Sequence, residues 1–452
     1  MKKVLMFLGI LVLLIVVLFA GLLFYSIYLG SKEPVAQIPQ TTTIQIQVPS
    51  PDMLGGTQVA FDYEISFEPL IEFFGEAFPV KILSTATIHT FPDGSSRMLD
   101  RDDYIGDRLG DFGVTFLIKK ASEEASDDNV HLRFEIEGDR FIRKSSLDGL
   151  IPQDKVIEIF PRISYDYDAL ERLVQPASEN VYFRLFYGSV PLIEKKEIVR
   201  FHSVNEIPFY VASRWDENSV EDYTDYFAAY VNEDDPLIDT ILKEALQIGT
   251  AEKIGYGDGF SFSGYQRKDA DGDSSLSVDL QVLAIWSVFL KHNIKYSNIT
   301  TTSTASGKIN TQYVRTLSES FGNAQANCVD GSVLFASVMR KIGIEPYLII
   351  LPGHMLVAYL RNEEFSYESL AFLETTMLGS VDVSKYTKNE SLLGRLKNWS
   401  GIGQTQASVT RDSFLAALDA GEEAIDEAEA DDITVIDITE CRNFGIKPIV
   451  RH

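Results

Sequence analysis

Apolar and polar positions along the chain follow three successive regimes, and each change of regime marks a boundary. Val4 to Gly30 is an uncharged stretch of mostly Leu, Ile, Val, Phe, Ala, Met and Gly behind Lys2 and Lys3. As a helix it reaches roughly 39 Å, more than the ~30 Å hydrocarbon core requires. A secretory signal carries a shorter apolar region of about 7–15 residues. Phe24, Tyr25 and Tyr28 close the stretch with rings suited to a membrane interface, and the lysine pair suits the cytoplasmic side. The expectation is a retained transmembrane anchor over residues 1–30 rather than a cleaved signal. It implies a single-pass protein of the cell membrane with its N-terminus inside, a lipid bilayer partner and an extracytoplasmic bulk. Residues 31–40 read as a polar linker.

From 41 to 213 the period is two. TTTIQIQV, VAFDYEISF, VKILSTATIHTF, VTFLIKK, VHLRFEIEG, KVIEIFPRISY, NVYFRLFYG and KEIVRFHSV are rich in β-branched and aromatic residues, with turn-forming intervals between them. Such a run predicts an antiparallel β-sandwich-like domain. The acidic run at 122–128 reads as a solvated loop. His89, His131 and His202 stand singly on strand-like segments, where a histidine is more often a surface or core residue than a ligand.

From 214 to 452 helical spacing takes over. Ile238, Ile241, Leu242, Ala245 and Leu246 predict a helix over 235–249 capped by Asp234 or Asp235. A second helix, 276–293, contains Trp286, and an acidic helix over 411–432 precedes the strand ITVIDI. Asp269, Asp271 and Asp273 alternate as in a calcium loop. Gly272 comes too early for an EF-hand turn, and no Glu follows at the required distance, so a solvated loop is the better reading.

Charge and cysteine content narrow the function classes. Forty Lys and Arg against 66 Asp and Glu give a formal charge of -26 over 452 residues. A surface of that sign repels phosphate backbones, which argues against a nucleic-acid partner. Two cysteines, Cys328 and Cys441, exclude a disulfide framework and a Cys-rich zinc module.

Chemistry concentrates in residues 325–360. Asn327 can cap a helix whose first turn holds Cys328 and Asp330 and which ends at Gly343. A thiol there meets the free N–H groups and positive dipole end that favour thiolate. The strand YLIIL, a Pro352-Gly353 turn and a strand opening with His354 follow, and a third strand ends near Glu374. A register pairing 360 with 368 also pairs His354 with Glu374, placing imidazole and carboxylate on one face. Nucleophile, base and orienting carboxylate then form a cysteine triad. Gln312 and, alternatively, Trp286 are candidate side-chain donors to an oxyanion, and Arg315 can orient nearby carboxylates. Cys441 lacks such surroundings and reads as structural, and spacing alone does not establish whether Cys328 and Cys441 form a bridge.

Cys328 with Asp330, the Arg340–Ile344 helix exit, Gly353-His354 and Leu373–Thr376 resemble the motifs of the transglutaminase-like superfamily of papain-type enzymes, in a bacterial-type membrane-anchored form. The resemblance covers about 325–378 closely and implies a transglutaminase-like α+β domain over 214–452, with its core at 312–378. Glu374 stands where that family usually has Asp, and Ala326 where it often has Gly. The resemblance implies attack by Cys328 on peptide or amide substrates through an acyl-thioester, as peptidase, deamidase or acyl transferase, with no cofactor. The alternative is a non-catalytic binding or scaffold protein that keeps the fold.

Overall fold

The computed structural model describes residues 43–46, 63–71, 73–85, 104–106, 112–120, 129–151, 153–154, 156–212, 219–252, 254, 259–297, 307–380 and 406–449. Over these the chain is mixed α/β, with six sheets. The expected fold class and localisation need correction. No helix among the described residues is long and apolar enough to cross a membrane. Residues 1–30, on which the anchor rested, and the 31–40 linker lie outside the described residues, as does His89. The transmembrane helix and the single-pass, extracytoplasmic placement built on it are therefore not carried forward.

The first half contains β1 (Thr43–Ile46), β2 (Tyr63–Ile71), β3 (Glu76–Ala77), β4 (Tyr104–Gly106), β5 (Phe112–Lys120), β6 (Val130–Gly138), β7 (Ile142–Arg143), β8 (Ser145–Ile151), β9 (Val156–Phe160), β10 (Ser164–Tyr165), β11 (Ala177–Tyr187) and β12 (Val190–Phe201). Short helices α1 (Pro79–Thr85) and α2 (Tyr167–Glu171) interrupt them, α1 covering the first residues of VKILSTATIHTF, where the sequence pattern predicts a strand. Two five-stranded sheets result, ordered β1-β2-β5-β9-β4 and β3-β12-β11-β6-β8. They are not purely antiparallel, because β3 pairs β12 and β4 pairs β9 in parallel. Along β11, Val181, Phe183 and Leu185 are buried while the residues between them are not, so one face of the strand is apolar. Residues of both sheets share a single core, with Phe67 against Phe134 at 6.2 Å between ring centroids.

The second half begins with β13 (Glu206–Ala212) and β14 (Val220–Asp222), followed by α3 (Pro236–Ala251), α4 (Ser275–Lys291) and β15 (Lys295–Tyr296). Next come β16 (Ile309–Tyr313), α5 (Leu317–Gly322), β17 (Gln325–Ala326), α6 (Cys328–Lys341), β18 (Pro346–Leu351) and β19 (His354–Leu360). The last elements are β20 (Leu370–Leu373), α7 (Gln406–Glu427), β21 (Thr434–Asp437) and α8 (Ile438–Asn443). The sheet order β20-β19-β18-β21 is antiparallel throughout. Helices α4 and α6 bury Trp286, Phe289, Val333 and Phe335 in one core with Val357, Tyr359 and Leu373 of the sheet. That core also takes in Ile207 and Val211 of β13, Val80 of α1 and Phe78 just before it. The chain thus passes from one core to the other at the turn between β12 and β13.

Candidate active site

Cys328 is the first residue of α6, and the sequence fixes that start by reciprocal hydrogen bonds. The Asn327 side chain accepts from Asp330 N at 2.8 Å, and the Asp330 carboxylate accepts from Asn327 N at 3.0 Å. Such a capping box satisfies two of the helix's orphan N–H groups. The Cys328 N–H belongs to the same unsatisfied set. The thiol is partly exposed, and both cysteines are free. Cys441 is buried, its thiol pushed up to about 12, first by burial and then by Asp225 and Asp437.

His354 follows Gly353, which takes φ +72, a left-handed conformation that closes the tight β18–β19 turn at no steric cost. The imidazole Nε2 lies 2.6 Å from Glu374 Oε2, with the histidine side chain 29% exposed and the glutamate 11%. The register differs from the expected one. Leu360 pairs Leu370 and Val357 pairs Leu373, so the same ladder extended would set His354 opposite residue 376 rather than 374. The shift is two residues, an even number, so the sidedness of the pair survives. It makes Glu374 a diagonal neighbour, a longer reach than a direct pair. The extra methylene of Glu relative to Asp supplies that reach.

Electrostatics at the site follow from these contacts. Burial alone would lower His354, but hydrogen bonds with Cys328 and Glu374 and the charges of both raise it to about 10. Burial likewise pushes Glu374 up, while His354 and the N–H and hydroxyl of Thr376 prevail and hold it below the usual carboxylate range. The Thr376 N–H and hydroxyl donate to Glu374 Oε1 at 3.0 and 2.5 Å, leaving Oε2 for the imidazole. With Nε2 committed to Glu374, Nδ1 is the ring atom left to face the sulfur. Gly331 of α6 is needed for the close approach of this turn: a Cβ there would meet Thr375 Oγ1 at 2.6 Å.

The two expected oxyanion donors are engaged elsewhere. Trp286 is fully buried, and its Nε1–H donates to Ser413 Oγ at 3.0 Å. Rings of Phe335 and Phe414 flank it at 5.8 and 6.1 Å, so it is a packing residue. Gln312 lies on β16 opposite Ile207, and its amide donates to the Tyr313 carbonyl at 2.8 Å. Sequence reasoning missed Tyr296. Parallel pairing of β15 with β17 sets Tyr296 beside Ala326, two residues before the cysteine. Burial, then the charges of Cys328 and Glu374, raise its phenol, and the residue is 44% exposed. The only hint in the sequence is the short IKYS segment after the Trp286 helix.

The remaining histidines and the aspartate loop sort differently from one another. His131 is exposed on β6. His202 is not the isolated residue expected: it is fully buried between Glu76 and Glu206. Asp269 Oδ1 accepts from the N–H groups of Asp271 and Asp273, both at 2.9 Å, which makes the loop a self-capped turn. No family model matches the chain, and no curated protein matches it in sequence.

Proposed function

We propose that this protein is a transglutaminase-like cysteine enzyme acting on peptide or amide bonds. The observation that carries the proposal is His354 held between the Cys328 thiol and the Glu374 carboxylate. A helix start, a positively charged imidazole and an orienting acid are the parts that make a thiol a nucleophile at neutral pH. Cys328 sulfur attacks the acyl carbon, and the carbonyl electron pair moves to oxygen. The Cys328 N–H, with the Tyr296 phenol, donates to that oxyanion. His354 gives its proton to the leaving nitrogen as the C–N bond breaks, and a thioester remains on Cys328. Water or an amine, deprotonated by His354, then displaces the thiolate, giving hydrolysis or acyl transfer. Glu374 keeps the imidazole oriented through both halves.

Profiling the full-length protein and Cys328→Ala against peptide and glutamine-amide libraries tests the proposal. Turnover that disappears in Cys328→Ala supports it. Ammonia release or peptide cleavage then identifies hydrolysis, and incorporation of a primary amine identifies transfer. An inactive wild type with slow, equal alkylation of Cys328 and Cys441 would favour the scaffold alternative. Tyr296→Phe should slow turnover by about 10–100-fold, less than loss of a fully enclosed donor costs, because the phenol is half exposed.

A further inference from the structure

The turn between β12 and β13 belongs to neither sheet of the first half, yet it is almost entirely buried. Ser203, Asn205 and Glu206 are each 2% exposed or less. The turn is closed on itself by Glu206 N donating to the Ser203 carbonyl at 2.9 Å and Ser203 N donating to Glu206 Oε2 at 3.1 Å. His202 fastens it to β3 through Glu76 and stacks on Phe78 at 4.2 Å. Buried polar groups in such number are costly unless they are hydrogen-bonded, and a paired network of this kind rigidifies what it holds. What they fix is Asn205.

Asn205 faces the second core and holds one residue of it from both sides. Its carbonyl accepts from Val314 N at 2.7 Å, and its Nδ2 donates to the Val314 carbonyl at 2.8 Å. The same Nδ2 donates to Glu319 Oε2 at 3.0 Å, and Glu319 caps α5 through Thr316 N. The next residue, Arg315, donates from its backbone N to Asp330 Oδ1 at 2.8 Å and from Nη1 to Oδ2 at 2.5 Å. Asp330 is 1% exposed and is the carboxylate that accepts from Asn327 N at the head of α6. Hydrogen bonds therefore run without interruption from Asn205 through Val314–Arg315 to the turn that carries Cys328.

We infer that Asn205 is a positioning residue for the nucleophile: from the β12–β13 turn it sets the Val314–Arg315 segment, and Arg315 through Asp330 sets the placement of Cys328 against His354. The inference rests on the proposed thiol chemistry. It gives the strand-rich half a role in the reaction of the other half. A Cys–His pair works only in a narrow geometry, and a misplacement of about 1 Å costs on the order of 10²-fold in rate.

The test is site-resolved alkylation of the full-length protein by iodoacetamide, followed by mass spectrometry across pH 5–9, with thermal unfolding in parallel. Asn205→Asp has nearly the same volume and loses both donations. Glu319→Gln is a milder second change that removes the charge Asn205 addresses. The inference predicts that Cys328 alkylation at pH 6 falls roughly 10–100-fold in Asn205→Asp and by less in Glu319→Gln. It also predicts that the pH profile of alkylation flattens toward that of an ordinary thiol while each variant still unfolds cooperatively. Should Asn205→Asp fail to fold, Asn205→Ala, which removes the same two side-chain donations without adding a charge beside Glu319, carries the same test. A lower melting point with an unchanged rate and profile in the variant that folds would overturn the inference and leave Asn205 structural. A wild-type Cys328 no faster than a simple thiol would instead overturn the proposed enzyme chemistry.

Discussion

Of the three imidazoles beside glutamates among the described residues, His202, His292 and His354, the first and last are built for opposite ends. His202 is fully buried, and both ring nitrogens meet carboxylates, Glu76 at Nε2 and Glu206 at Nδ1. Burial lowers it, and hydrogen bonds with the two acids raise it above its ordinary value. With both nitrogens occupied and no access to solvent, it has no lone pair to offer a substrate. His354 has one glutamate, a thiol on the other side and a side chain 29% exposed. The same residue pair thus makes a rivet in one place and an acid–base group in the other. The difference lies in the second partner and in access, not in the His–Glu contact.

Substitutions should separate the two. Cys328→Ala is expected to abolish covalent turnover with a change in stability of no more than ~1–2 kcal/mol, read by activity and urea unfolding. His202→Gln leaves two carboxylates in a buried site and should cost about 3–5 kcal/mol of stability. In the molecules that remain folded, Cys328 alkylation should slow by less than in Asn205→Asp, because the turn that holds Asn205 is loosened rather than its own bonds removed. A stable, unperturbed His202→Gln would erase the contrast. At the other imidazole, Glu374→Gln should keep the fold and lose ~10²–10⁴ in rate. Glu374→Asp should lose less but still slow, because a diagonal partner needs the longer chain. If Glu374→Gln were kinetically silent, the site would reduce to a Cys–His dyad.

Gly331→Ala probes the approach of α6 to the Glu374 turn. Its Cβ would stand 2.6 Å from Thr375 Oγ1, so the turn must shift, at a cost of about 1–3 kcal/mol and with slower Cys328 alkylation. The smallest effect concerns pH. The folded value of His354, about 10, lies above its unfolded value near 6.5. Its charge therefore stabilises the fold fully below about pH 6.5, and the contribution is lost as pH rises through 10. Urea unfolding of wild type and His354→Gln should show a gap on the order of 1 kcal/mol after solvent screening at pH 6. That gap should close by pH 10.5.

Local signals made much of the site legible. Asn327 and Asp330 marked the helix start at Cys328, and Pro352-Gly353 marked the turn before His354. The register could not be read, because the link from β19 to β20 winds into a 3-10 turn at Tyr367–Ser369. Ser366 and Ser369 cap that turn reciprocally. It takes up two residues that an extended strand would have paired. Trp286 looked like a donor because its residue type fitted, but its N–H found Ser413, 127 positions away. Tyr296 and the His202 rivet were invisible for the same reason: Glu76 lies 126 residues from His202, and β15 meets β17 only in the folded chain. The apolar N-terminal stretch, the plainest pattern in the sequence, lies outside the described residues.

The central claim is that Cys328 forms an acyl-thioester with help from His354. Intact-protein and peptide mass spectrometry after brief exposure to p-nitrophenyl acetate at pH 7 tests it directly. The account predicts an acetyl group on Cys328 and none on Cys441, released by hydroxylamine and strongly reduced in His354→Ala. Acetylation absent from Cys328, or equally fast with His354 removed, would contradict it.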